Sequence, residues 1–309
     1  MNLVVFGFGY TSAAFVKRVR ARFGRIVGTV RSTEKAASLR QDGIEARLFP
    51  SAGGEAALAA ALAAALAEAD ALLVSIPPGP DGDPVLARFA GEIEASPRLR
   101  WIGYLSTIGV YGDHGGAWVD ETTPPRPVSA RSRQRLAAEA AWLDLGRRSG
   151  KAVQVFRLAG IYGPGRSPLQ KVLDGTAKRI VKPGQVFNRI HVDDIALVLE
   201  ASLDRPRAGA IYDVADGEPA PPQDVVAFAA GLAGMPPPPE VAFDAAAMTP
   251  MARSFYGENK RVQAELIRRE LGVTLSCPSY REGLRALAAD ELRPRTGSPP
   301  ARSNRGSAG

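Results

Sequence analysis

The chain has 309 residues, 45% of them hydrophobic, which suits one large or two small globular domains with a substantial core. Its net charge is +7, but Arg293, Arg295, Arg302 and Arg305 lie in a Pro/Gly/Ser-rich end segment, so the body is only mildly basic and, lacking a basic-aromatic motif, is not expected to bind nucleic acid. One cysteine, Cys277, excludes an intrachain disulfide, and two histidines, His114 and His191, argue against a bound metal, while the lack of an apolar run of about 20 residues and of a cleavable leader points to a cytoplasmic protein with no membrane partner.

Six short β-type runs come first, at 3–6, 26–30, 46–49, 71–76, 101–106 and 153–158, with helical stretches between them. That alternation predicts a doubly wound parallel sheet. Between the first two runs Phe15, Val16, Val19 and Phe23 fall at helical spacing, while Lys17, Arg18, Arg20 and Arg22 form the face expected to meet water. The alanine-rich stretch 56–67 reads as a surface helix.

After Gly163 the alternation ends. The pattern predicts a loop through Gly165, a helix near 168–175, a strand at 189–192, a helix to about 203, a strand at 211–215 and a helix at 224–232. A stiff proline connector follows at 235–239, then helical sections over 260–271 and 280–289. The expected organisation is α/β: a Rossmann domain over 1–165, to which 190–216 returns, a smaller α/β substrate-binding subdomain over 166–290, and a disordered basic tail over 291–309.

Gly7-Phe8-Gly9-Tyr10-Thr11-Ser12 ends the first strand and opens the first helix, the setting in which a dinucleotide fingerprint works. Gly7 permits the tight turn, and Gly9 lets the backbone approach a pyrophosphate. The helix start at Tyr10 and Thr11 offers free N–H groups and a positive dipole end to that anion, and Ser12 holds the place of the third glycine, where a small residue suffices. At the end of the second strand an NAD site carries an acid for the ribose 2′-hydroxyl. Here Thr29-Val30-Arg31-Ser32 stands instead, with no carboxylate before Glu34. A guanidinium on Arg31 suits a 2′-phosphate and Ser32 adds a hydroxyl, so the expected cofactor is NADP rather than NAD.

The string Tyr104-Leu105-Ser106-Thr107-Ile108-Gly109-Val110-Tyr111-Gly112 resembles the extended short-chain dehydrogenase/reductase family, the NAD(P)-dependent epimerase/dehydratase group. So do Asp120-Glu121 through Pro127, the segment from Arg157 to Arg166, and His191-Val192-Asp193-Asp194-Ile195-Ala196. The resemblance spans about Met1 to Leu287. It implies that Thr107 orients a substrate carbonyl, and that a YxxxK pair on the next helix handles the proton and the nicotinamide ribose.

That pair is absent. Alignment on Glu139 puts Arg131 at the tyrosine and Arg135 at the lysine, and in any register no tyrosine lies between Tyr111 and Tyr162 and no lysine between Lys35 and Lys151. Arg135 remains a candidate donor to ribose hydroxyls, whereas Arg131 cannot exchange a proton. The chain therefore reads as an atypical member, of a subgroup without the pair. Tyr111 has two readings, a proton source near Thr107 or a packing residue. Arg166 and Asn259-Lys260-Arg261 lie where relatives face substrate, as an anion site or as solvated charge. His191 and Asp193 are read as fixing a strand-to-helix turn, with an aspartate capping the helix near Asp194, and His114 as a flexible loop residue.

Two functions follow. One is an NADP(H)-dependent oxidoreductase or epimerase for a small carbonyl or sugar-like substrate, anionic if the Arg166 reading holds, using Thr107 and either Tyr111 or water. The other is a non-catalytic dinucleotide-binding sensor or regulatory protein. The oligomeric state is not legible.

Overall fold

The computed structural model describes residues 1–49 and 56–292; residue 293 onward, most of the expected basic tail, lies outside the described residues. The apolar run that starts the chain becomes β1 (Asn2–Phe6), whose Leu3, Val4, Val5 and Phe6 are all buried, as a parallel strand covered on both faces requires. In chain order there follow α1 (Tyr10–Val19), β2 (Arg25–Val30), α2 (Thr33–Gln41), β3 (Glu45–Leu48), α3 (Ala56–Ala67), β4 (Ala71–Val74), α4 (Pro84–Ala95) and β5 (Trp101–Thr107). A 3-10 turn (Ile108–Tyr111) leads to β6 (Trp118–Val119), α5 (Ala130–Ser149), β7 (Ala152–Leu158), β8 (Gly160–Tyr162), α6 (Pro168–Leu173), β9 (Arg179–Val181) and β10 (Arg189–His191). The rest is α7 (Val192–Asp204), β11 (Ala210–Val214), α8 (Pro222–Leu232), β12 (Glu240–Ala242), α9 (Pro250–Phe255), β13 (Arg261–Val262), α10 (Glu265–Leu271) and α11 (Tyr280–Glu291).

Seven strands form one parallel sheet in the order β11-β7-β5-β4-β1-β2-β3. This is the doubly wound Rossmann-like α/β fold. On one face pack Phe15, Val16 and Val19 of α1 with Ile195, Val198 and Leu199 of α7; on the other pack Leu62 and Leu66 of α3, Phe89 and Ile93 of α4, and Trp142 and Leu145 of α5. The chain leaves β1 toward β2 and later returns on its other side as β4, so the order reverses at β1. A crevice opens there at the carboxyl ends of the strands.

The second lobe is built on short parallel pairs, β8 with β10 and β9 with β12, and a third pair joins β6 to β13. Tyr162, Leu169, Val225, Tyr280 and Leu284 form one small core, and Ile180, Tyr256 and Phe243 belong to another. Of the segment 190–216, α7 lies against α1 and β11 borders β7, while β10 pairs outside the large sheet.

One expectation needs correction. The helix predicted from residue 260 begins only at Glu265, because Val262 is drawn into β13 beside Val119, and the Asn188 carboxamide accepts from Val262 N–H (2.8 Å) and donates to Lys260 O (3.0 Å). On the basic face that begins on α1, Lys17, Arg18 and Arg20 are exposed and Arg22 is half-buried; Arg18 also pairs with Glu200, and Arg22 with Asp204, both on α7.

The large sheet also encloses charge. Arg157, inside β7, pairs with Glu139 of α5 at 2.8 Å, and both side chains are almost wholly buried. Removing one partner strands the other in the core. Arg157→Met is therefore expected to lose about 3–5 kcal/mol of unfolding free energy in urea denaturation; a loss below about 1 kcal/mol would show that the pair does not brace the sheet.

Candidate cofactor and active-site cleft

The turn after β1 is shaped by contacts that the local sequence only partly announces. Gly7 has φ +88°, and a Cβ there would stand 2.9 Å from Ile76 Cγ1, so both conformation and space call for glycine. Gly7 N–H donates to Thr29 Oγ1 (2.9 Å), Phe8 N–H to Thr29 O (2.7 Å), and Ser12 Oγ–H to Gly7 O (2.9 Å). Ser12 is thus more than a small residue: it ties α1 back to the turn. Thr29, on β2, is the partner that sequence reasoning missed, since its side chain meets Gly7 across 22 positions.

Gly9 is the N-cap of α1, with no side-chain cap, no acid in the first turn, and nothing within 4 Å of where its Cβ would stand. The open helix end, with Tyr10 and Thr11 in its first turn, has the donors, positive dipole and space that a dinucleotide pyrophosphate requires. The residues present fit that group. Tyr10 reaches across the crevice, its hydroxyl donating to Pro164 O (3.0 Å) beneath the Arg166 guanidinium, and burial with the nearby Asp193 charge pushes its pKa up.

At the end of β2 Arg31 is exposed and forms no ion pair among the described residues. Ser32 caps α2, its Oγ accepting from Lys35 N–H (3.3 Å). Glu34 stands close by: hydrogen bonds from backbone and from Ser32 and Thr33 hold its carboxyl below the usual range, so it is anionic at neutral pH.

Thr107 ends β5 half-buried, its Oγ1 accepting from Gly109 N–H (3.1 Å). Ser132 Oγ lies near, 3.1 Å from the point where a Gly109 Cβ would stand, with Thr107 Oγ1 3.4 Å from the same point. Arg135 donates through one nitrogen to Leu105 O (2.7 Å) and the Tyr104 hydroxyl (3.1 Å), so that end of the guanidinium is held by the sheet. Arg131 lies exposed over the Phe255 ring at 5.5 Å, with Ser254 Oγ 3.5 Å away, and spans from α5 to α9 of the second lobe. Phe255 itself is 56% exposed.

Tyr111 as a proton source is corrected. The residue is 0% exposed, its hydroxyl donating to Asp213 Oδ2 (2.8 Å) and accepting from Arg157 Nη1 (3.0 Å). Burial and the Asp213 charge raise its pKa far above the ordinary value, and it has no path to the cleft. Other expectations change with it. His191, rather than an aspartate, caps α7, its Nδ1 accepting from Asp193 N–H (3.3 Å), while buried Asp194 receives the N–H groups of Ser276 (2.7 Å) and Cys277 (2.9 Å). His114 is held rather than flexible, with its N–H on Asn259 O (2.9 Å) and Nε2 3.1 Å from Tyr111 O. Lys260 is buried and donates to Gly112 O (2.8 Å) and Glu258 (2.7 Å), Asn259 Oδ1 accepts from Val186 N–H (3.1 Å), and Arg261 meets Gly116 O. This cluster braces two loops instead of presenting charge to a substrate.

Asp216, just beyond β11, is 2% exposed; Oδ1 accepts from Glu218 N–H (3.2 Å), Oδ2 has no partner among the described residues, and burial pushes its pKa up to about 7. No group of acids, histidines and cysteine suited to a metal ion occurs among the described residues, and none of their helices is long and apolar enough to cross a membrane.

The chain is 30% identical to the protein YeeZ of Escherichia coli (strain K12) over 245 residues, 77% of this chain and 85% of that protein. It is similar to a solved conserved protein of unknown function from Silicibacter pomeroyi, with TM-score 0.83 and 49% identity over 94% of this chain and 99% of the other. It also resembles dTDP-glucose 4,6-dehydratase from Bacillus anthracis in complex with NAD, with TM-score 0.72 and 19% identity over 95% and 97% of the two chains; at that identity the likeness is one of fold. No family model matches the chain.

Thr29→Val preserves shape but removes the acceptor of Gly7 N–H, and should lower unfolding free energy by about 1–3 kcal/mol; an unchanged urea midpoint would dismiss that tie. For Asp216 the sign follows from the pKa being raised from 3.8 to about 7 on folding. The folded state holds a proton that the unfolded state has released, so this group's contribution to stability is full below 3.8 and is lost as pH rises toward about 7. Measured against Asp216→Asn, the wild type should lose stability between about pH 4 and about pH 7. A difference that stays constant over that interval would mean Asp216 does not carry it.

Proposed function

The chain belongs to the family of Escherichia coli YeeZ, and on that footing we propose that it is a dinucleotide-binding protein of the short-chain dehydrogenase/reductase type that uses NADP(H) and acts as an oxidoreductase or epimerase on a small carbonyl or sugar-like substrate. The observation that carries the reading is the uncapped start of α1 under Gly9, open where an anion must sit and held in shape by Thr29 and Ser12. The solved dehydratase of like fold is a complex with NAD, which supports a dinucleotide in this crevice. Arg31, exposed and without an ion pair among the described residues, supports a 2′-phosphate.

When bound, the cofactor's nicotinamide supplies hydride exchange. The chain's part is to hold the pyrophosphate at Gly9, Tyr10 and Thr11, and to orient a substrate oxygen at the Thr107 hydroxyl. With Tyr111 locked in the core and Arg131 at the position of the usual tyrosine, the proton comes from water or from the substrate itself, and we assign the chain to a subgroup lacking the tyrosine–lysine pair. The outward Arg131 and Phe255 at the mouth favour a substrate with an anionic or planar part.

The same two residues keep a second reading in play, a sensor that binds the cofactor without turnover. A titration with NADPH and NADH, followed by cofactor fluorescence, tests the common core. NADPH is expected to bind at least about tenfold tighter, roughly 1.4 kcal/mol, with Arg31→Ala losing that margin. Equal affinities in the wild type would remove the 2′-phosphate assignment, all the more because Glu34 lies beside Ser32.

A further inference from the structure

We infer that the anion received at the start of α1 is gripped from both lobes, with Arg166 as a diphosphate-binding residue opposite the glycine turn. The inference rests on the cofactor reading above and adds the second lobe to it. Residues 163–166 form a tight turn closed by Gly163 N–H to Arg166 O (3.1 Å) and Arg166 N–H to Gly163 O (3.0 Å). That turn is pressed against the first residue of α1: Tyr10 donates to Pro164 O, and a Cβ on Gly163 would stand 2.6 Å from the Tyr10 hydroxyl.

Arg166 is exposed, lies 5.8 Å over the Tyr10 ring, and forms no ion pair among the described residues. A guanidinium held beside a helix N-terminus faces the positive end of the dipole, and α1 has no acid in its first turn to offset it. Two acids act on the Tyr10 hydroxyl through their charge: Asp193, the stronger, which is largely turned to solvent, and Glu291, whose carboxylate has no partner among the described residues. An anion at this point satisfies the cation and the helix end together, and the planar fork of arginine matches phosphate oxygens.

A second observation points the same way. His191 Nδ1 accepts from Asp193 N–H, which leaves Nε2 as the ring nitrogen able to donate. That Nε2 is buried, has no partner among the described residues, and lies 3.5 Å from the Gly163 Cβ position, a point itself 2.6 Å from the Tyr10 hydroxyl. The wall facing α1 thus holds an exposed guanidinium and an unused buried donor, both suited to oxygen anions.

The test compares wild type, Arg166→Ala and Arg166→Lys, each checked for an unchanged melting temperature, by fluorescence titration with NADPH and by calorimetric titration with inorganic pyrophosphate and with adenosine 2′-phosphate. The expected result is a loss of about tenfold or more in NADPH and pyrophosphate affinity for Arg166→Ala, partial recovery in Arg166→Lys, and no change for adenosine 2′-phosphate, which lacks the diphosphate. Wild type that binds NADPH, with Arg166→Ala within twofold of it, overturns the role of Arg166 and leaves the cofactor reading intact. Wild type that binds pyrophosphate but not NADPH, with Arg166→Ala losing it, overturns the cofactor reading and keeps Arg166. If wild type binds neither, both fall.

Discussion

The buried pairing of Arg157 with Glu139 is the constraint around which the large sheet is arranged. A guanidinium in the middle of a parallel strand survives only if every donor and the opposing carboxylate find partners away from water. Here they do so by drawing five elements together: Glu139 comes from α5, Ser106 of β5 bonds to the same carboxylate, Tyr111 bridges Arg157 to Asp213 of β11, and Glu121 accepts from Asp213 N–H. The network touches Ser106, one residue before Thr107, and Tyr111 at the end of the 3-10 turn that follows it, while Thr107 Oγ1 itself accepts from Gly109 N–H.

The same network explains what Tyr111 does. Its place just after Thr107 in the sequence makes Tyr111 look like a proton donor, yet its hydroxyl is the link between Arg157 and Asp213. Burial also pushes the Asp213 carboxyl well above its ordinary range, and that carboxyl depends on the Tyr111 hydroxyl at Oδ2, since Oδ1 has no partner among the described residues. Arg135 is likewise held at β5. Thr107 is half-buried at the end of β5, while Arg131 and Phe255 are exposed and lie against each other.

Side chains distant in sequence act as clasps alongside the core. Asn188 holds β13, Asp194 holds the loop at Ser276 and Cys277, Lys260 holds Gly112, and Tyr10 holds Pro164. The last of these is made by the first residue of α1.

The sequence by itself determined the doubly wound sheet, because continuous apolar runs and helical periodicity are local properties, and it marked the glycine turn, because Gly7 and Gly9 must sit between a strand and a helix. It could not reveal strands of two or three residues such as β6, β8 and β13, which are too short to show alternation. Nor could it tell that Thr29 steadies the turn or that Tyr111 points inward. Those facts depend on partners separated in the chain, by 22 positions for Gly7 and Thr29 and by 102 for Tyr111 and Asp213. Only the packed tertiary structure brings such groups within hydrogen-bonding distance, and the desolvation of each then decides which of them remains free for chemistry.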